Sequence, residues 1–297
     1  MCIICTREIY KQNLNTLAKL NVSCCSNLTS EKLQEILIQC KNLETLWCFN
    51  CPSLTSLNLQ DNTNLTILNC SSCTSLTSLD LWSNTKLKEL WCYSCTSLTS
   101  LDLRNNINLT TLGCSNCTSL TSLNLQSSSE GVTSKGCINL KKLYCSSCTS
   151  LTSLDLRSNI NLKTLWCDNC TFLTSLDLRS NINLEELRCH STYLTSLDLR
   201  SNINLTMLMC YYCKSLTSLD LPKEYDGYIG CSKCPWITQN EDFINNLQRL
   251  IKIQKWYRKL LIIKYMKSQE FIEWFYNPSN IGGKYHKLKL LKEFIIN

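Results

Sequence analysis

The apolar positions of this chain recur with a fixed step. From residue 42 to about residue 225, leucines fall in the frames Leu-x-x-Leu-x-Leu and Leu-x-x-Leu-x-Cys, as at 173–181 and 162–170. Asn139-Leu140 and Asn161-Leu162 open nearly identical units 22 residues apart, and each unit divides into two similar halves of 11. The unit from Asn183 has 21 residues, and that from Asn108 has 31 because residues 127–136 add a Ser/Gly-rich insertion. Self-similarity at a fixed period marks an array in which each unit stacks on its neighbours. In Leu176-Asp177-Leu178, alternate side chains of an extended segment point opposite ways, so the leucines face in and Asp177 faces out. Neighbouring coils stack such triplets into a parallel sheet. Because both halves share the pattern, a strand is expected on each side of the coil, giving a flattened solenoid. Each coil is expected to bury about four leucines and one or two cysteines. Asn181 stands where the chain leaves the strand, and its amide is expected to bond backbone groups of its own and adjacent coils.

The two ends depart from this frame. Leu20-Asn21-Val22-Ser23-Cys24, then Leu28 and Leu33, then Cys40-Lys41-Asn42-Leu43 describe a longer first unit. A short helix is expected there over 31–39, with Ser30 as N-cap and Glu31 in the first turn. The division is therefore 1–41 for the N-terminal segment and longer unit, 42–237 for the solenoid, and 238–297 for a basic helical cap.

Both 11-residue halves fit the consensus L-x-x-L-x-L-x-x-N/C, and the chain resembles leucine-rich-repeat proteins of the nested subclass over some 200 of its 297 residues. Its start is similar to the longer cysteine-containing repeats of F-box adaptor proteins. The resemblance implies a β-rich solenoid of parallel strands in stacked coils of about 22 residues with an α-helical C-terminal tail. It implies a non-enzymatic protein–protein interaction module. The alternative it implies is a substrate-recognition subunit of a ubiquitin ligase, although residues 1–19 are too short for an F-box. With its tail, the array resembles repeat proteins of giant DNA viruses of amoebae, which implies a host or viral protein partner.

Composition raises one question. The chain has 23 cysteines but only 7 glycines, 4 prolines and 2 histidines. Cysteine-dense chains are usually small secreted disulfide scaffolds, but this chain is long and has an odd count. No signal-peptide core and no membrane span is apparent, so an intracellular location with reduced thiols is expected. Nine Cys-x-x-Cys pairs occur, and Cys51 to Cys70 completes a Cys-x₂-Cys-x₁₈-Cys-x₂-Cys series that matches a zinc pattern. Redox pairs are the other functional reading. Against both, Cys40 and Cys137 align singly with Asn159 and Asn181, and Thr192 replaces the partner of Cys189. A small buried slot tolerates such drift and a metal site does not. The cysteines are therefore read as a structural ladder with no cofactor. Cys2 and Cys5 remain ambiguous.

The outward positions are the candidate binding surfaces. One face carries Asp80, Asp102, Asn124, Asp155, Asp177, Asp198 and Asp220, beside Gln60, Trp82, Arg104, Gln126, Arg157, Arg179 and Arg200. These columns are either solvated and mutually paired or a polar docking surface. The other face carries Trp47, Asn69, Trp91, Gly113, Tyr144, Trp166, Arg188 and Met209, with Phe49, Tyr93, Tyr211 and Tyr212 near it. Trp and Tyr are typical interface anchors, so this column is either a partner-binding stripe or is covered by the chain itself.

Residues 241–297 carry +6 of the net charge of +7. Apolar residues at 242–267 are spaced as in an amphipathic basic helix, which would cap the open end of the solenoid. Ile253, Gln254 and Arg258 resemble the opening of an IQ motif, which implies calmodulin binding, although Lys259 stands where that motif has glycine. Nucleic-acid binding through the tail lacks any supporting motif. No phosphate loop, nucleophile elbow or paired-carboxylate site appears, and Cys189 beside His190 points inward, so no catalytic residue is assigned.

Overall fold

The computed structural model describes residues 13–126, 136–223 and 225–236. The chain forms strands β1 Lys19–Asn21, β2 Thr45–Trp47, β3 Ile67–Asn69, β4 Glu89–Trp91, β5 Ser100–Asp102, β6 Thr111–Gly113, β7 Ser122–Asn124, β8 Lys142–Tyr144, β9 Thr164–Trp166, β10 Glu186–Arg188, β11 Ser196–Asp198, β12 Met207–Met209, β13 Ser218–Asp220 and β14 Tyr228–Gly230. Ten of them make one parallel sheet in the order β1-β2-β3-β4-β6-β8-β9-β10-β12-β14. Equivalent residues of successive coils pair in register, so Leu68, Leu90 and Leu112 form one column. These leucines are fully buried. The coil at 162–181 buries five leucines (Leu162, Leu165, Leu173, Leu176 and Leu178) and both its cysteines, one leucine more than the sequence frame implied.

The expected second sheet is only intermittent. β5 pairs β7, β11 pairs β13, and Asn58 bridges Asp80. After β7, a side chain takes over from backbone pairing. Gln126 Nε2 donates to Asp155 O at 2.6 Å, and its Oε1 accepts Ser158 N at 3.0 Å. The helix α1 also differs slightly from expectation, running Ser30–Leu37 rather than 31–39. Its N-cap is Thr29, whose hydroxyl accepts Lys32 N at 3.4 Å. The Ser30 hydroxyl is instead used by the next coil, accepting Thr55 N and Ser56 N at 3.1 and 3.0 Å. Glu31 does sit in the first turn, where backbone and Thr29 hydrogen bonds lower its pKa.

Two ladders of hydrogen bonds hold successive coils together inside. Asn181 Nδ2 donates to Leu156 O at 3.0 Å and Asn159 O at 2.9 Å, both in the preceding coil. Asn84, Asn106 and Asn202 repeat the arrangement. On the other side of the coil, the second cysteine of each pair does the same with its thiol. Cys73, Cys95 and Cys117 donate to the carbonyls of Cys48, Cys70 and Cys92, each at 3.1 Å. Cys137, alone in an asparagine slot, donates to Leu103 O at 3.1 Å. Cysteine and asparagine are thus interchangeable because both are small donors aimed at the previous coil's carbonyl.

The described cysteines are all free thiols, and all but Cys24 are buried. Burial pushes the Cys137 thiol up to about 12 and the Cys167 thiol well above the usual range, so both stay protonated. Among the described residues, no three His, Cys, Asp or Glu side chains are grouped to hold a metal ion. Cys2 and Cys5 lie outside the described residues.

The scarcity of glycine has a conformational counterpart. In each described Cys-x-x-Cys turn, the residue before the second cysteine has a left-handed backbone, for example Ser72 (φ 59°), Asn116 (φ 61°) and Asn169 (φ 57°). Glycine is the usual occupant of such positions, and Asn is the usual substitute. Here Ser and Asn mostly fill them.

Candidate functional site

The coil presents two different outward surfaces. On the intermittent side, each aspartate first serves its own backbone. Asp102, Asp155, Asp177 and Asp198 each accept, at 3.1 Å, the amide of the residue two positions on, which shapes the turn out of the strand. That residue is Arg104, Arg157, Arg179 or Arg200, and its guanidinium folds back onto the same carboxylate with closest contacts of 2.6–2.7 Å. The hydrogen-bonding arginine holds Asp177 and Asp198 down at about 2. In these four coils the charges are therefore paired within the coil. Exposed pairs of this kind add little stability. Their charge is also largely spent internally.

The ten-stranded face is different. Trp47, Trp91, Tyr144 and Trp166 stand on β2, β4, β8 and β9, all half-buried rather than covered. Trp91 and Tyr93 are 5.6 Å apart between ring centres. Trp91 stacks on Tyr144 at 6.3 Å, and Tyr144 meets Trp166 edge-on at 4.8 Å. Gly113 lies on β6 between Trp91 and Tyr144 in register. A Cβ there would sit 2.5 Å from Tyr93 Cζ and 2.6 Å from Trp91 Cε3. Glycine thus lets the rings close over its strand. Burial raises the Tyr93 phenol to about 12 and also raises that of Tyr144, so both remain hydrogen-bond donors.

Beyond Trp166 the column turns polar. The Arg188 guanidinium lies over the Trp166 ring, 4.4 Å from its centre. Asp168, buried, accepts His190 N at 3.0 Å and Ser146 Oγ at 3.2 Å, and lies 3.4 Å from Arg188 Nε. His190 stacks on Tyr211 at 5.0 Å, and Tyr211 is hydrogen-bonded to Tyr228 at 2.7 Å. The sequence frame placed the aromatic column on one face and the Asp/Arg columns on the other, and the structure keeps them apart. It did not single out Asp168, Glu89 or Glu186, which the register brings onto the aromatic face, and it weighed His190 only as a neighbour of Cys189. Aligning the position two residues beyond each member of the outward column would have found Asp168 and His190. Ile253, Gln254 and Arg258 lie outside the described residues.

The geometry is that of a parallel-strand β-solenoid whose coils match the leucine-rich-repeat fold. Residues 50–67, 147–159 and 190–202 match the family model described as Leucine Rich repeat. No curated protein matches the chain. Among solved structures, the chain is similar to the functional domain of InlJ from Listeria monocytogenes, which includes a cysteine ladder. That match is 26% identical, covers 70% of this chain and 56% of that one, and has a TM-score of 0.38. InlP of Listeria monocytogenes matches at 19% identity, 75% and 59% coverage and a TM-score of 0.43. A leucine-rich-repeat protein from Bacteroides ovatus matches at 15% identity, 76% and 55% coverage and a TM-score of 0.43. The chain thus spans little more than half the length of these structures. The class rests on the chain's own coils and on the family match.

Proposed function

We propose that this chain is a non-enzymatic protein-docking module whose working surface is the outer face of the ten-stranded sheet. The observation that carries this reading is the continuous, half-buried aromatic column from Trp91 through Tyr144 to Trp166, which no described segment covers. Repeat solenoids offer extended surfaces of this kind, and Trp and Tyr are enriched among interface anchors. The Asp/Arg face is the weaker candidate because four of its aspartates are already paired with arginines of their own coils. We further propose an intracellular setting and a host or viral protein partner, supported by the reduced, buried thiols and the resemblance of the array. No helix of the described residues is long and apolar enough to cross a membrane. Affinity capture from cytosol tests the reading. Trp91→Ala with Trp166→Ala should abolish capture, and Asp177→Asn with Arg179→Gln should leave it intact. The reverse pattern would move the working surface to the charged face.

A further inference from the structure

Two tryptophans of the ten-stranded face carry a glutamate on the indole nitrogen, but their surroundings differ. At Trp166, Glu186 Oε1 accepts the indole N–H at 3.0 Å, and Arg188 of the same chain covers the ring at 4.4 Å. This is a cation–π contact with a carboxylate beside it. At Trp91, Glu89 Oε2 accepts the indole N–H at 3.2 Å. Here, among the described residues, no cation lies over the ring and Glu89 joins no ion pair.

One side of Trp91 is closed by Tyr144 across Gly113. The other side faces β3. There the register runs Trp91, Asn69, Trp47 across β4, β3 and β2. Two strand spacings separate the tryptophan backbones by about 10 Å. Among the described residues, no ring contact joins these two tryptophans. Glu44 and Lys88 precede β2 and β4 at matching positions and offset each other, so Glu89 leaves the interval acidic.

We propose that the interval over β3, between Trp47 and Trp91, binds an arginine side chain of a basic peptide. The guanidinium stacks on the side of Trp91 that faces β3 and pairs with Glu89, as Arg188 stacks on Trp166 while pairing with Asp168. Arginine suits the site better than lysine, because a planar guanidinium can stack and still donate to a carboxylate. The inference rests on the protein-docking reading of this face and adds the chemistry of the partner.

The test uses the full chain and a fluorescein-labelled Gly-Ser-Arg-Gly-Ser-Arg-Gly peptide, with its neutral citrulline counterpart. Fluorescence anisotropy should show the arginine peptide binding at least about tenfold tighter than the citrulline peptide. Glu89→Gln should remove most of that difference, and Glu186→Gln should not. Asn69→Trp should block binding by filling the interval. If that variant misfolds by circular dichroism, Glu89→Gln decides alone. Equal binding of the two peptides, no binding of either, or indifference to Glu89→Gln would overturn the inference. If no arginine peptide binds while Trp91→Ala still abolishes capture from cytosol, the inference falls and the docking reading stands. If capture survives loss of both tryptophans, both fall.

Discussion

The asparagine ladder makes a quantitative demand on position 181. Asn181 gives one Nδ2 proton to Leu156 O and the other to Asn159 O, at 3.0 and 2.9 Å. Its Oδ1 is buried with no partner. Asn181→Ala removes two hydrogen bonds worth about 1 kcal/mol each, leaves a small void, and relieves one unsatisfied acceptor that costs about 1 kcal/mol. The net loss should be about 2 kcal/mol. Asn181→Cys keeps one donor in a slot that Cys137 already occupies, so the loss should be under about 1 kcal/mol. Asn181→Asp turns oxygen toward oxygen and buries a charge, so the loss should reach about 4 kcal/mol. The buried carboxyl would have a raised folded-state pKa, so its deficit should shrink as pH falls through that value and the acid regains a proton to donate. Urea unfolding followed by circular dichroism gives the order, and amide exchange should place the damage in the coils at 151–170 and 173–192. An Asp variant no worse than Ala, or a Cys variant worse than Ala, would refute the donor-to-carbonyl account.

Gly113→Ala should displace Trp91 and Tyr93, costing about 1–3 kcal/mol and shifting tryptophan emission, whereas Gly227 or Gly230 variants should leave the emission of Trp91 unchanged. Asp177 should titrate well below the usual carboxylate range by NMR, and Arg179→Ala should move it back toward that range. Because this pKa is depressed, the pair's contribution is complete above pH 4 and is lost as pH falls towards 2, by a small amount that added salt reduces further. Protein purified without added zinc should contain none, since the thiols already donate to carbonyls; one zinc or more per chain by metal analysis would overturn the ladder account.

The buried half of this molecule was legible in its sequence because stacking repeats its own constraints. A leucine at Leu90 must fit between Leu68 and Leu112, so the column shows as a period. The exchange of Cys137 for an asparagine was visible for the same reason. What the period could not show were features that depend on one side chain reaching outside its own slot. Ser30 resembles a cap, but the next coil's amides claim its hydroxyl, and Thr29 caps instead. Both halves of the coil carry the strand pattern, yet Gln126 inserts between coils and interrupts pairing on one side.

The same logic locates functional information in the departures from the repeat. An outward residue is free of the stacking constraint, so nothing in the fold dictates Gly113 between Trp91 and Tyr144, or Asp168 where Ser71, Ser115 and Ser146 stand in other coils. Each departure nevertheless has physical consequences. Gly113 lets two rings meet, and Asp168 enters the solenoid wall only because Ser146, Arg188 and His190 satisfy it. A buried acid and a cluster of half-exposed aromatics are costly choices on a surface that could have remained serine and threonine. On the Asp/Arg face the variation is smaller, and in four coils the aspartate is neutralised by the arginine two positions on. The contrast between a self-satisfied face and an irregular, aromatic one distinguishes the two surfaces as scaffold and candidate docking site.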